Sequence, residues 1–123
     1  MNRGASRKRQ AYRFGHMAET VATWLLRLKG YGILARRYKT PVGEIDIVAR
    51  RGDLLVMVEV KARTGDLALE SLGPRQRRRI ERAALAYVAR HPGAQNCHIR
   101  FDLIMVGPGS LPHHLAAAWI AGD

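Results

Sequence analysis

Hydrophobic positions along the chain change period several times, and each change marks an element. Phe14, Ala18, Val21, Leu25 and Leu28 recur at helical spacing, which predicts a helix over about 12–29 with that stripe toward a core and a stop at Gly30. Gly32 to Lys39 suits a first strand, broken by Thr40-Pro41-Val42-Gly43. Glu44 to Arg51 and Leu54 to Arg63 read as two strands around Gly52-Asp53. A loop over 64–74 leads to a second helix, Arg75 to Arg90, with Ile80, Ala84, Tyr87 and Val88 on one face and His91-Pro92-Gly93 ending it. His98 to Val106 predicts another strand, and the tail after Pro112 a short apolar helix or strand. Trp24, Tyr87 and Trp119 fall on apolar stripes and are expected in the core. The order α-β-β-β-α-β predicts an α/β fold, a mixed sheet flanked by helices. The buried run Leu54 to Val58 fits cover on both faces of that sheet. Residues 1–10 read as a flexible basic arm and 11–123 as one domain.

The hairpin fixes a register. With Arg51 and Leu54 closing the Gly52-Asp53 turn, Ile45 faces Val60, Ile47 faces Val58 and Ala49 faces Val56, all apolar and all on one face. A slip of one residue would set these side chains against charges. The other face then sets Asp46 opposite Glu59 and Glu44 opposite Lys61. Two carboxylates about 5 Å apart repel and need compensation. A divalent cation would supply it, since Mg²⁺ is commonly held by one or two carboxylates with water and substrate phosphate. A solvated charge ladder, Glu44 with Lys61 and Asp46 with Arg50 or Arg63, fits the same register.

Charge bears on this choice. The chain has 123 residues, 21 Lys and Arg against 10 Asp and Glu, and a formal net charge of +11. Of the cations, 17 are arginine, which suits bidentate phosphate contact. A cluster, Arg75, Arg77, Arg78, Arg79 and Arg82, opens the second helix, and with Arg63 it is expected to contact nucleic acid. No stretch is long and apolar enough to span a membrane, and the one cysteine, Cys97, excludes an internal disulfide, so a cytoplasmic setting is expected. The histidines are scattered, apart from the adjacent His113 and His114, which make a poor chelate. Against this basic background, Glu44, Asp46, Asp53 and Glu59 crowd into one short segment. An acid on one strand and Glu59-x-Lys61 on the next would let carboxylates hold Mg²⁺ or Mn²⁺ against a phosphodiester while the ammonium orients water or offsets phosphate charge. Glu19 lies beside the stripe of the first helix among the small residues Gly15, Ala18 and Ala22. It reads either as a surface glutamate or as one close enough to the sheet to join the cluster.

The runs Gly43-Glu44-Ile45-Asp46-Ile47-Val48-Ala49 and Val58-Glu59-Val60-Lys61-Ala62-Arg63 resemble the YraN family of small bacterial proteins. So do Gly15-x-x-x-Glu19-x-x-Ala22, Gly30-Tyr31, Arg100-Phe101-Asp102, and His114-Leu115 followed by Ala118-Trp119. That family is similar to the restriction-endonuclease-like fold and to archaeal Holliday junction resolvases, with active sites of the PD-(D/E)xK type. The resemblance implies Asp46, Glu59 and Lys61 as the catalytic set, Asp46 and Glu59 as metal ligands, and Glu19 as the helix carboxylate that joins them. It implies DNA as partner and, by analogy with the resolvases, a homodimer. Ile45 stands where the motif's name has proline, and Gln76 where relatives often have lysine. Two functions follow: a metal-dependent endonuclease, or a nucleic-acid-binding protein that keeps the fold without cutting. Binding that persists in EDTA without cleavage is the mark of the second.

Overall fold

The computed structural model describes residues 3–62 and 72–123, with side chains from residue 15 onward. Arg63, most of the loop before the second helix and the side chains of the basic N-terminal residues lie outside the described residues. Helix α1 spans Arg3–Leu28, strands β1 Gly32–Thr40, β2 Gly43–Arg51 and β3 Leu54–Ala62, helix α2 Pro74–Arg90, a 3₁₀ turn Pro92–Ala94, and strands β4 His98–Val106 and β5 His113–Trp119. The first helix therefore begins at Arg3 rather than near Tyr12, and the backbone of 3–10, expected as a flexible arm, is helical. This segment lacks proline, and its Ala, Arg, Lys and Gln are good helix formers. The tail resolves as a strand.

The five strands form one mixed sheet in sequential order. β1–β2, β2–β3 and β4–β5 are antiparallel, while β3–β4 is parallel, with α2 as its crossover. Helices on both sides bury both faces of β3, where Leu55, Val56, Met57 and Val58 are fully buried. This is the expected α/β architecture, compatible with a restriction-endonuclease-like fold. α1 packs on Ile47, Ala49, Val56 and Val58, and α2 packs on Ile45, Val48, Leu55 and Met57.

α1 rides on the sheet through Ala18, Ala22 and Leu26, all essentially buried. The expected stripe is rotated: Val21 and Leu25 only flank the core, Leu28 is 83% exposed and Trp24, expected inside, is 58% exposed. Small side chains at Ala18 and Ala22 bring the helix backbone close, so they, not the bulky residues, define the contact face. Tyr87 and Trp119 are buried as expected.

α2 meets the start of β2 with equal closeness. A Cβ on Gly43 would lie 2.8 Å from the Arg79 carbonyl oxygen and 3.2 Å from its carbon. Gly43→Ala must push the first turns of α2 outward, at an expected cost of about 1–3 kcal/mol. A lower urea midpoint with an unchanged m-value checks this.

Candidate active site

The hairpin register is as read from the sequence only as far as Ile47↔Val58. Arg51↔Leu54 closes the turn, with Gly52 at φ +62°, and the pairing then runs through Ala49↔Val56. Beyond Ile47 the ladder stops, and the Oδ2 of Asp46 accepts the Val60 N–H at 2.8 Å. A side-chain carboxylate has replaced a backbone acceptor, so β2 and β3 part at this end. The expected pairing of Ile45 with Val60 does not form, and Ile45 instead turns toward α2. Glu44 lies opposite Lys39 of β1, not Lys61.

The parted end nonetheless brings Asp46 and Glu59 together, within hydrogen-bonding reach of each other. Glu59 is 7% exposed. Burial, then the charge of Asp46, pushes its pKa up from 4.5 to about 8, with Lys61 opposing. Burial also raises Asp46; the Val60 N–H works against this, and the charges of Glu19 and Glu44 add to it. Each carboxylate disfavours ionisation of the other, and burial adds to this, so the pair is pushed toward sharing a proton. Lys61 Nζ lies 3.6 Å from Glu59 Oε1, and Gln76 Nε2 donates to the same oxygen at 3.0 Å. Gln76, whose role the sequence left open, thus joins the first turn of α2 to the carboxylates.

Glu19 reaches the cluster from α1. It is 8% exposed; its Oε2 accepts from Arg37 Nε at 2.8 Å, while its Oε1 is buried with no hydrogen-bond partner among the described residues. Arg37 has a left-handed backbone, φ +52°, in the middle of β1. A non-glycine residue there is strained, and such strain concentrates at functional sites. Nothing in the sequence marks Arg37; the signal is conformational.

Within the basic cluster the structure divides the arginines. Arg75 and Arg79 line a cleft of about 590 Å³ together with Gly43, Asp46, Glu59 and Gln76. Arg78 is engaged by Glu81 at 3.1 Å and by the Asp123 carbonyl at 3.0 Å. Arg77 Nε is buried with no hydrogen-bond partner among the described residues, and Arg82 is exposed. A more apolar cavity of about 410 Å³ lies between α2 and β5, away from the carboxylates. Its one acid, Glu81, is committed to Arg78, Trp119 Nε1 and the Gly122 N–H. Among the described residues no helix is long and apolar enough to cross a membrane, and no group of three or more His, Cys, Asp or Glu could hold one metal ion.

Relatives share nearly the whole chain. It is 56% identical over 110 residues to a UPF0102 protein of Parvibaculum lavamentivorans, covering 89% of this chain and 83% of that one. It is 54% identical over 114 residues to UPF0102 protein amb4503 of Paramagnetospirillum magneticum, covering 89% and 88%. The family model described as "Uncharacterised protein family UPF0102" matches residues 18–106, a span that holds Glu19, Asp46, Glu59, Lys61 and Gln76, and the chain belongs to that family.

Proposed function

We propose that the chain is a divalent-metal-dependent endonuclease that hydrolyses DNA phosphodiesters, as its likeness to the YraN family and to PD-(D/E)xK resolvases implies. The observation that carries this reading is the buried Asp46–Glu59 pair, with Lys61 beside it and Arg75 and Arg79 around it, at the one place where β2 and β3 part. Asp46 and Glu59, buried side by side and both pushed up in pKa by burial, offer carboxylate oxygens of the kind that Mg²⁺ or Mn²⁺ takes together with water and phosphate. Asp46 and Glu59 would hold the ion, with water and substrate phosphate completing its shell. Such an ion lowers the pKa of bound water and offsets phosphate charge. Lys61 stabilises charge on the reacting phosphate, and Gln76 and Lys61 together fix the Glu59 carboxylate. Glu19, clamped by Arg37, sets a further carboxylate near Asp46. Arg75 and Arg79 grip the backbone. A cytoplasmic setting and a homodimer belong to the same reading.

The test is cleavage of branched, single-stranded and duplex DNA with Mg²⁺ or Mn²⁺. Wild type should cut at least one of them, and Lys61→Ala should lose about 10²–10³-fold in rate. Cutting by Lys61→Ala at the wild-type rate would remove lysine from the mechanism. Tight binding in EDTA with no cutting under any condition would replace the enzyme by a binding module.

A further inference from the structure

We propose that a continuous nucleic-acid strand crosses the carboxylate pair and is held on both sides, by Arg75 and Arg79 on the α2 side and by Arg36 and Lys39 on the α1 side. The inference rests on the nucleic-acid partner of the preceding reading and adds a second phosphate-binding rim, on β1.

Two clefts carry the argument. The one beside α2, of about 590 Å³, and a second beside α1, of about 370 Å³, share Glu44, Asp46 and Glu59 in their walls. α1 and α2 cover opposite faces of the sheet, so the carboxylates form a ridge between two openings rather than the floor of a single pit. A pit with one mouth suits a chain end, whereas a ridge between two mouths suits the interior of a strand. Phosphates on either side of such a ridge face the same carboxylates and need cations at both mouths.

The α1-side mouth has Lys39 on its wall, with Arg36 reaching α1 beside it. Lys39 is exposed and lies across the ladder from Glu44. Arg36 sits across from Ile47, whose side chain packs toward α1, and its Nη2 donates to Thr20 Oγ1 on that helix at 3.3 Å. Among the described residues neither Arg36 nor Lys39 makes an ion pair within 4.0 Å. Arg37, between them in sequence, is the one turned inward to Glu19. The left-handed turn at Arg37 thus separates one arginine turned to Glu19 from Lys39 on the cleft wall and from Arg36, which reaches α1 at Thr20.

The experiment measures affinity in EDTA, where no cutting interferes. A fluorescein-labelled DNA single strand is titrated at several salt concentrations with wild type, Arg36→Gln/Lys39→Gln, Arg75→Gln/Arg79→Gln and, as a control at the far end of α2, Arg90→Gln. Each double substitution should flatten the dependence of log K on log salt by about 1.4, since each lost single-strand phosphate contact removes about 0.7, and Lys39→Gln alone should remove half of that. Thermal midpoints near wild type show that the variants are folded. An unlabelled circular single strand should compete as well as a linear one of equal length, because the path needs no end. If Arg36→Gln/Lys39→Gln keeps the wild-type slope while Arg75→Gln/Arg79→Gln loses it, Lys39 only neutralises Glu44 and the two-sided path is overturned, with the endonuclease reading intact. A circle that competes more than about tenfold worse also overturns it. Two-sided binding without metal-dependent cutting of any DNA would instead overturn the enzyme and leave the path standing. No binding by wild type overturns both.

Discussion

In Asp46→Asn, metal-dependent cleavage should fall by about 10²–10³-fold or more while the fold gains about 1–2 kcal/mol. The two effects have one cause. Asp46 and Glu59 are brought out of water next to each other, and burial is the largest contribution to the rise in both pKa values. Asparagine keeps an oxygen for the Val60 N–H, so the hydrogen bond at 2.8 Å survives, but it removes one of the two repelling charges. Urea midpoints in EDTA at about pH 8 measure the gain, and a cleavage assay on the same preparations measures the loss. A variant that is inactive and also less stable would show that the Asp46 charge is needed by the fold, and the site would lose its signature of stability surrendered for function.

The sign of the pH dependence follows from Glu59. Its pKa is 4.5 when unpaired and about 8 in the fold, so between those values the folded chain binds the proton and the unfolded chain does not. The stabilisation from that proton is fully present below pH 4.5 and is lost as pH rises through about 8. In EDTA the thermal midpoint of wild type should therefore drop by several degrees between about pH 5 and pH 9, and Glu59→Gln should flatten the drop. Saturating Mn²⁺ should restore stability, most at the alkaline end, because a bound cation replaces the proton.

How much of this was legible in the sequence depends on where the interactions lie. The hairpin from Arg51↔Leu54 to Ile47↔Val58 could be read because strict alternation and a glycine turn specify it locally. Its end could not, because it is set by a side chain, Asp46, taking the place of a backbone acceptor. That substitution also turned Ile45 to the α2 face. The rotation of α1 was hidden for another reason. Alanines carry little hydrophobic signal, yet they allow the closest approach, so Ala18 and Ala22 outrank Trp24 and Leu28 as contact residues. Asp46 and Glu59 do meet, but through the parted strand end and not through the ladder pairing expected for them, while the nearness of Glu19 was one of two readings. Arg37 was not visible and Gln76 only as a departure from the lysine of relatives, since their places depend on a left-handed backbone and on the docking of α2 against Gly43.

A second buried carboxylate behaves in the opposite way. Asp102→Ala should cost about 3–5 kcal/mol, the largest stability loss expected of any single change in the described residues. Asp102 is fully buried, and the bonds it accepts tie its own strand, β4, to β5. Arg100 donates through Nε and Nη2, both at 2.8 Å, His114 Nε2 lies at 2.7 Å, and the Ala117 N–H donates at 3.0 Å. Arg100 Nη2 also reaches the Tyr31 hydroxyl, and Lys29 Nζ lies 2.9 Å from His114 Nδ1. A lysine ammonium only donates, so Nδ1 accepts and Nε2 carries the hydrogen that points at Asp102. Burial alone would raise the Asp102 pKa, but the bonds from His114, Arg100 and Ala117 outweigh it and the net shift is downward. Its stabilisation is therefore present above the ordinary carboxylate range and is lost only as pH falls through the lowered value, the reverse of Glu59. Asp102 also sits where the β4–β5 register shifts between Phe101 and Leu103, and where Ala117 takes φ +52°. Its carboxylate caps an N–H that the ladder leaves over, as Asp46 does for Val60, but here Arg100 and the His114 Nε2–H also donate to it and close the sheet instead of opening it. Asp102→Ala should thus lower the urea midpoint sharply while the folded fraction cuts at the wild-type rate, whereas Asp46→Asn should do the converse. A loss of cutting in folded Asp102→Ala would place the His114–Asp102 pair within the catalytic machinery rather than in the scaffold that carries it.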